Sequence, residues 1–449
     1  MTQDTAVTAP PPAPIGHGLY SRTQAYAVVV AMVLVTLGLN LTAMPLNLMV
    51  DPIRKTLAIS DLQISLLLGA AGAAPYVAMS LIGGWLSDRM SRRALLAAAI
   101  VLWTAGAALC AAADSFQTFL AGRVLVLLGA GLKLPVAMTW INDAFPAEQR
   151  GRALGAFFVV LSGGPSLAVM LAGMAQRAAE GGAFAFLEGA LGSEPWRATT
   201  LVLSLPGLLT VLAVLGLTDR RSPSAGGGGD GTAAAATTAL PMGLMVTLVA
   251  AAALIILVDG ANMAWMPTVF TRTYGYDAQQ AGFTFGLVTL LAGCLGPLIG
   301  GWLADALYRR HGAAGRVWLA AAACMCCVPL LAVYLVHAPG WLTLTLTLNG
   351  MCTVAALATT YINAQSLLPD RVRGLGTGII SATTTIVGST GPTLVALSSE
   401  HVLTGPMALP QSIALVGACG SLLAAGILAA GARQLQRVGA GPANAGRPA

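Results

Sequence analysis

The number of long apolar segments limits what this chain can fold into more than any other feature. A helix that crosses a membrane needs about 20 mostly apolar residues, and twelve segments qualify. They lie at 25–49, 63–86, 94–113, 117–138, 153–174, 199–217, 243–268, 280–304, 315–336, 341–363, 375–397 and 411–432. Only 9% of the 449 residues are charged, whereas soluble domains average about 25%. The sequence therefore predicts an all-α membrane protein with twelve transmembrane helices, and it excludes a soluble enzyme and a nucleic-acid-binding protein.

A low-complexity stretch separates the first six apolar segments from the last six. It reads TDRRSPSAGGGGDGTAAAATT, a composition typical of flexible linkers. We therefore expect a disordered tail at 1–24, a six-helix bundle at 25–217, a linker at 218–242, a second six-helix bundle at 243–432 and a disordered tail at 433–449.

The positions of Lys and Arg indicate the orientation in the membrane. If the first tail lies inside the cell, 16 of the 23 basic residues fall on the inner side of the predicted helices and five on the outer side. Basic residues favour the cytoplasmic side of membrane proteins. We therefore expect a multi-pass protein of the cell inner membrane with both termini in the cytoplasm. The same bias accounts for much of the formal net charge of +6 without a nucleic-acid partner.

The two halves of the chain repeat each other. Three motifs recur in the same order: GGWLSDRMSRR at 83–93 as GGWLADALYRR at 300–310, RGRALG at 150–155 as RVRGLG at 371–376, and N-x-x-x-M-P at 40–45 again at 262–267. Their offsets of 217, 221 and 222 residues are nearly equal, which indicates a duplicated unit of six helices in parallel. Two such bundles leave a central cavity, and rocking one against the other exposes that cavity to alternate sides of the membrane.

The motif at 84–93 resembles the loop between helices 2 and 3 of the major facilitator superfamily, and the motif at 301–310 resembles its second-half copy. Within the superfamily the sequence is similar to the bacterial Spinster-like branch. The supporting residues are SDLQIS at 60–65, PWR at 195–197, LPG at 205–207, AQ at 364–365, PDRVRG at 369–374 and GPT at 391–393. The resemblance covers about residues 25–400. It implies the two-bundle fold of this superfamily, alternating access, and coupling to a proton or another gradient.

The sequence departs from the Spinster-like pattern at two places. The Asp-Arg pair usual in helix 1 aligns near Thr42 and Ala43, and the Glu usual after the helix 4 glycine falls at Ala130. The resemblance implies that these acids carry coupling protons. Two mechanisms therefore stay open, a proton-coupled carrier that uses another group and a passive uniporter.

Three charged side chains lie at membrane depth inside predicted helices: Arg123 and Lys133 in helix 4, and Asp259 in helix 7. Such a group at membrane depth costs about 2.5–3.5 kcal/mol on insertion scales, so we expect these residues to face a cavity and to bind substrate or protons. Lys133, one of two lysines in the chain, is an anchor for an anionic group or a proton-exchanging amine, or it snorkels to the interface. Asp259 is a proton carrier, or a hydrated carboxylate in an outer vestibule.

Three uncharged residues complete the predicted substrate site. Asn40 and Asn262 occupy matched positions in helices 1 and 7, where they either line the cavity or support a helix break. Trp265 offers an apolar wall to the substrate, or it anchors helix 7 at the membrane interface. Because two cations oppose one acid among the ionisable residues, the sequence predicts a small amphipathic solute that is anionic or zwitterionic.

Charged clusters at the inner helix ends are predicted to gate the cavity. The resemblance implies an Asp-Arg network between helices that separate when the cavity opens inward. The corresponding residues are Asp88, Arg89, Arg92, Arg93, Asp305, Arg309 and Arg310, with Arg150 and Arg371 at matching positions in the other repeated loop. The alternative is that these residues only set the topology and contact lipid headgroups.

The sequence predicts neither an enzyme nor a cofactor or metal site. The cysteine-rich stretch at 324–327 has no His or carboxylate beside it, and the chain contains no HExxH and no GxSxG motif. The expected partners are a small-molecule substrate, protons and membrane lipids, and the protein is expected to act as a monomer. A proton-driven multidrug exporter and a receptor on a carrier scaffold are the alternatives to the transporter described above.

Overall fold

The computed structural model describes residues 20–220, 242–335, 339–366, 368 and 373–439, and helix is the regular secondary structure within these ranges. Most of the tail predicted at 1–24 and of the linker predicted at 218–242 lies outside the described residues. The first helix begins at Arg22 and the last one ends at Gly439.

Twelve long helices form two groups of six in the described part of the chain. In the first half they are α1 at Arg22–Ala43, α2 at Ala70–Arg89, α3 at Arg92–Ala111, α4 at Phe116–Ala144, α5 at Ala147–Glu180 and α6 at Pro195–Leu215. In the second half they are α7 at Met242–Arg272, α8 and α9 within Ala278–Leu331, α10 at Pro339–Ser366, α11 at Arg373–Gly388 and α12 at Ala408–Gly439. Short helices extend three of these: Pro45–Leu48 continues α1, Asp61–Leu68 precedes α2, and Gly391–His401 continues α11.

The boundary between α8 and α9 explains why the described residues contain eleven continuous helices that are long and apolar enough to cross a membrane. Ala278–Leu331 has 54 residues, whereas a membrane core of about 30 Å needs only about 20. The backbone turns at Gly312, with φ 63° and ψ −155°, a conformation that glycine adopts because it lacks a Cβ. Residues 278–311 therefore form α8 and residues 313–331 form α9. The prediction of an all-α fold with twelve transmembrane helices is confirmed.

Matching helix starts support the duplication of the two halves. The Ser60 hydroxyl accepts a hydrogen bond from the Gln63 N–H, and the Gln63 side chain accepts one from the Ser60 N–H. Asp277 and Gln280 form the same reciprocal pair at the start of α8. Such a capping box satisfies backbone donors that have no partner inside the helix. The two boxes are 217 residues apart, the same offset as the GGW motifs.

The order of the helices defines two faces of the membrane. At the linker face, α1 begins at Arg22, α6 ends, α7 begins, and α12 ends at Gly439. The far face lies opposite and carries residues 49–60, 273–277 and 402–407.

Three hydrophobic cores indicate how the halves are joined. The largest core draws on the far-face parts of both halves, for example Trp196 from the first and Phe270 from the second. The other two lie towards the linker face and belong to one half each, around Trp140 in the first half and around Leu248 in the second. Since close side-chain packing holds membrane helices together, the halves are joined mainly near the far face.

Ion pairs reinforce the contact between the halves at the far face. Arg272, the last residue of α7, donates to Asp61 from both terminal nitrogens at 2.8 and 2.9 Å, and its Nε donates to Asp51 at 2.8 Å. We call these three residues the Arg272 fork. On α5, Arg177 lies 3.4 Å from the carboxylate of Asp277 at the start of α8. Both contacts connect the first half to the second.

Candidate functional site

A cavity of about 500 Å³ lies between the two halves. Its lining comes from α1, α2, α4 and α5 on one side and from α7, α8 and α11 on the other. Most of the lining is apolar, and its charged residues are Arg123 and Asp259. The volume falls within the range of about 300–1,000 Å³ that is typical of sites for small organic ligands.

Three of the lining helices are interrupted beside the cavity. The chain breaks between Ala43 and Pro45 after α1, at Gly69 before α2, and at Ser389 and Thr390 within the eleventh membrane crossing. A Cβ on Gly69 would collide with the Ser389 carbonyl of the other half, so this close approach requires glycine. An interrupted helix leaves backbone carbonyls without their helical partners, and such groups are available to side chains or ligands.

Arg123 of α4 donates hydrogen bonds to two backbone carbonyls beside these breaks. Its Nε donates to the Leu67 carbonyl at 3.3 Å, and its Nη1 donates to the Ala43 carbonyl at 3.5 Å. These carbonyls belong to the helix ends next to the breaks in the first and second membrane crossings. The side chain is 8% exposed and lines the cavity. Arg123 therefore joins both interrupted helices and presents its guanidinium to the cavity.

Asp259 of α7 faces the same cavity from the opposite half. Its carboxylate makes no hydrogen bond or ion pair with another described residue, Arg123 included. A carboxylate at this depth needs water, a proton or a cationic ligand group as its partner. Of the residues predicted to bind substrate or protons, the cavity brings together Arg123 and Asp259.

Five further polar residues line the cavity and were not selected from the sequence: Asn47, Tyr76, Thr289, Thr385 and Ser389. The Asn47 amide donates to a backbone carbonyl of α7 at 3.3 Å, across the two halves. Hydroxyl and amide side chains are frequent in apolar helices, so their presence alone does not indicate a site. Only the nearby Met-Pro break could have pointed to Asn47.

Lys133 is absent from the cavity lining in this conformation. It is 6% exposed and has no ion-pair or hydrogen-bond partner among the described residues. At helical spacing it continues the buried stripe of Val126, Ala130 and Ala137 on α4, which belongs to the linker-face core of the first half. The Lys133 side chain is therefore buried within the first half in this conformation.

Asn40, Asn262 and Trp265 are buried and are likewise absent from the cavity lining. Asn262 accepts a hydrogen bond from the Tyr334 hydroxyl at 3.1 Å within the second half. The Trp265 indole donates to the Pro392 carbonyl at 3.0 Å, beside the break in the eleventh crossing. The Asn40 amide nitrogen faces α5 and has no partner among the described residues. In this conformation these side chains contact the helices around the cavity rather than the cavity itself.

Arg92 connects three helices of the first half at the linker face. Its guanidinium forms an ion pair with Asp143 of α4. Its backbone N–H donates at 2.9 Å to Asp219, just after α6. Because Arg92 is only 3% exposed, these bonds brace α3, α4 and α6 against each other.

The described partners of the other predicted gating residues also lie within one half. Asp305 pairs with Arg316 of α9 at 3.1 Å, and Arg150 donates to the Phe145 carbonyl at 3.0 Å. Arg89, Arg93, Arg309 and Arg310 are exposed, whereas Arg371 and the side chain of Asp88 lie outside the described residues. No set of three or more His, Cys, Asp or Glu side chains within the described ranges is arranged to hold a metal ion.

Comparison with known proteins identifies the family of this fold. The sequence profile of the Major Facilitator Superfamily matches residues 26–392. An MFS-type efflux pump of Mycolicibacterium smegmatis is 25% identical over 84% of this chain and 86% of its own length. Protein spinster of Drosophila melanogaster is 25% identical over 54% of this chain and 40% of its own length. Alignments with three other relatives, among them the human proton myo-inositol cotransporter, span 17 to 22% of the length of those proteins.

Two crystal structures of a bacterial homolog to the human lysosomal transporter Spinster share this fold. The inward-facing, occupied structure superimposes with a TM-score of 0.81 at 19% identity, covering 93% of this chain and 99% of that one. The inward-facing, unoccupied structure gives a TM-score of 0.80 at 18% identity. The similarity to the Spinster-like branch that the sequence motifs indicate is thus present in the structure as well.

Proposed function

Because the chain belongs to the Major Facilitator Superfamily, we propose that it transports a small amphipathic solute across the cell inner membrane by alternating access, coupled to protons through Asp259. The observation that carries this proposal is the cavity between the halves, which Arg123 and Asp259 line from opposite sides. A solute held between these two residues contacts both halves at once. Its binding can therefore favour one arrangement of the halves over the other.

The charges of the cavity favour a zwitterionic solute. Arg123 offers N–H groups to an anionic group, Asp259 offers a carboxylate to a cationic group, and the remaining lining is mostly apolar. A neutral solute would leave both charges without a partner in a poorly hydrated site, which is costly. A contribution from Lys133 in the outward-facing state would move the preference towards an anionic solute.

In this proposal the conformation described above is the inward-facing one. The shared core and the Arg272 fork close the far face, and both bacterial homolog structures of the same fold are inward-facing. The linker face is then cytoplasmic, as the distribution of arginines predicts. The gating residues at that face would find partners across the halves in the outward-facing state.

Transport by the purified protein in liposomes tests the proposal directly. Uptake of radiolabelled amphipathic zwitterions, carboxylates and sugars is measured with and without an imposed pH gradient. We expect uptake of zwitterions to exceed that of the other two classes and to rise when the gradient drives protons out of the liposomes, because a proton and the cationic group of the solute compete for the Asp259 carboxylate. Uptake of the preferred solute that does not respond to the gradient would contradict proton coupling and support the passive uniporter.

An exporter of apolar compounds is the second candidate function. It is favoured by the efflux pump of M. smegmatis, whose similarity extends over most of both chains, and by the largely apolar lining of the cavity. Extrusion of hydrophobic dyes from cells that express the protein, compared with cells that express the Arg123→Ala variant, separates this candidate from the transporter of zwitterions.

Replacing Asp259 with asparagine should abolish the response of transport to the pH gradient. The amide keeps the size of the side chain but cannot carry a proton, so uptake should be equal with and without the gradient. Asp277→Asn is the matched control, because Asp277 lies at the far-face start of α8 and its amide can still cap that helix. If uptake by the Asp259→Asn protein still responds to the pH gradient, another group must carry the coupled proton.

Lys133→Met should stabilise the protein and impair transport. The amine is buried without an ion-pair partner among the described residues, so its removal should relieve a cost of about 2 kcal/mol and raise the melting temperature. We propose that Lys133 reaches the cavity in the outward-facing state, and transport should therefore fall about tenfold, equivalent to about 1.4 kcal/mol. A stabilised variant with normal transport would contradict a role for Lys133 in the cavity and would support the alternative that it snorkels to the interface.

A further inference from the structure

A groove separate from the central cavity lies between the starts of α1 and α5 at the linker face. Two adjoining hollows of about 420 and 370 Å³ make up this groove. They share Arg22, Tyr26, Phe145 and Gln149 in their walls. We call the combined space the α1–α5 groove.

The groove opens towards the membrane and not towards the central cavity. Ala156 lines the groove, whereas Pro165 of the same helix lines the central cavity. Nine residues, or two and a half helical turns, separate them, so they lie on opposite faces of α5. Leu167 and Met174 share the face of Ala156 and are 45% and 56% exposed. Leu167 and Met174 lie at the depth where the two halves are in contact. Their exposed surface at that depth therefore faces the lipid outside the protein and not the central cavity.

The walls of the groove change from basic to apolar with depth in the membrane. Arg22 and Arg152 stand at the linker-face end, where the apolar spans of α1 and α5 begin. Val29 and Ala156 follow one to two turns further along the two helices, which is about 6–10 Å deeper. Tyr26 lies between the two levels and is 60% exposed. This sequence of charge, amphipathic ring and hydrocarbon wall matches the polarity of a phospholipid.

The two arginines of the groove are available to a ligand. Both are exposed, and neither has a hydrogen-bond or ion-pair partner among the side chains that the structure describes. Two acids at the same face are already engaged, since Asp143 pairs with Arg92 and Asp219 accepts from the Arg92 backbone. The start of the 34-residue helix α5, which has no side-chain cap, adds partial positive charge at the same end.

We propose that the α1–α5 groove binds an anionic phospholipid of the leaflet at the linker face. Arg22 and Arg152 hold the phosphate, to which guanidinium groups donate in pairs, and one acyl chain lies over Val29 and Ala156. Basic pockets between membrane helices are typical binding sites for anionic headgroups. The lipid joins the first and fifth helices of the first half and is distinct from the transported solute.

Thermal unfolding of the full-length protein in detergent tests this site. Dioleoylphosphatidylglycerol is titrated against the protein, with dioleoylphosphatidylcholine as the uncharged-headgroup reference, and the shift of the unfolding midpoint gives an apparent Kd. We expect phosphatidylglycerol to raise the midpoint more than phosphatidylcholine. The double variant Arg22→Ala/Arg152→Ala should bind phosphatidylglycerol about 30-fold more weakly, equivalent to about 2 kcal/mol. Equal shifts by the two lipids, or an unchanged Kd in the double variant, would overturn the proposal.

Three control variants keep the test specific. Arg433→Ala removes an exposed arginine of α12 near the same face and should leave the Kd unchanged. If it lost as much affinity for phosphatidylglycerol as the double variant, the overall positive charge, and not the groove, would attract the lipid. Arg22→Lys/Arg152→Lys keeps both charges but not the paired donors, so it should bind phosphatidylglycerol more tightly than the alanine double variant and less tightly than the parent protein. Ala156→Trp fills the apolar part and should also weaken binding.

Soluble glycerol phosphate distinguishes a lipid site from a phosphate site. It carries the same phosphate chemistry without acyl chains, so we expect it to leave the unfolding midpoint unchanged at concentrations where phosphatidylglycerol acts. A shift equal to that of the lipid would overturn the lipid proposal in favour of a free phosphate ligand. None of these outcomes depends on transport, so a failure of this proposal and a failure of the proposed function can be told apart.

Discussion

Replacing Arg123 with alanine should reduce transport about 100-fold, equivalent to about 2.7 kcal/mol, and should also lower the melting temperature. The guanidinium is the cation of the cavity lining, and its loss leaves Asp259 as the remaining charge there. It also removes the donors that satisfy the Leu67 and Ala43 carbonyls. Each buried carbonyl left without a partner costs about 1–3 kcal/mol. Liposome uptake and thermal unfolding of the same preparation measure the two effects.

Arg197 provides a matched control for the loss of a buried arginine. It is 6% exposed and donates to the Ala111 carbonyl at 3.0 Å and to Asp114 at 2.8 Å, but it is absent from the cavity lining. Arg197→Ala should therefore destabilise the protein while the folded fraction still transports. Arg123→Lys should recover part of the transport, because it keeps the charge but has no second nitrogen for both carbonyls. Equal losses of transport in Arg123→Ala and Arg197→Ala would indicate that Arg123 has only a structural role.

Replacing Arg272 with alanine should open the far face. Its two carboxylate partners are only 21% and 15% exposed, and the bond to Asp61 is bidentate, the geometry in which such pairs are strongest. Loss of the Arg272 fork should shift the equilibrium between the two states towards the outward-facing one by about 30-fold, or about 2 kcal/mol. Solute binding should then be measurable from the far face, whereas net transport should fall because the far face no longer closes efficiently.

Accessibility of a single cysteine measures this shift. Leu68 lines the cavity, so Leu68→Cys in a background without the seven native cysteines reports access of an impermeant maleimide added at the far face. Arg177→Ala is the matched control, since its pair with Asp277 also crosses the halves but is 62% and 47% exposed. Exposed pairs contribute about 0–1 kcal/mol, so this variant should label at nearly the parent rate. Equal labelling of Arg177→Ala and Arg272→Ala would contradict a special role for the Arg272 fork.

The fold could be predicted from the sequence because a membrane permits few structures. Backbone polar groups cannot stay unpaired in hydrocarbon, so each long apolar segment must be a helix. The duplicated motifs then imply two equivalent bundles. Even the boundary between α8 and α9, where the helix is nearly continuous, was correctly predicted, since two apolar segments flank the charged stretch that contains Gly312.

The candidate site could be predicted only in part. Arg123 and Asp259 were selected because charged side chains are rare in apolar helices, and both line the cavity. Lys133 met the same criterion but is absent from the cavity lining, although it lies only about 80° from Arg123 around α4. Which face of a helix meets the cavity depends on how the helix is rotated about its axis relative to its neighbours. An amphipathic helix reveals that rotation through the spacing of its polar residues, whereas a helix that is apolar all round does not.

The sequence by itself determined the number of membrane helices, their division into two repeated bundles and the small set of charges at membrane depth, because each follows from the energy of moving a residue between water and hydrocarbon. The tertiary structure decided which of those charges share a cavity, where the interrupted helices leave carbonyls for Arg123, and which face of the molecule is closed. These depend on contacts between residues far apart in the chain, such as those of Arg272 with Asp51 and Asp61. Pairwise contacts of this kind depend on how the helices rotate and tilt against each other, which local composition does not specify.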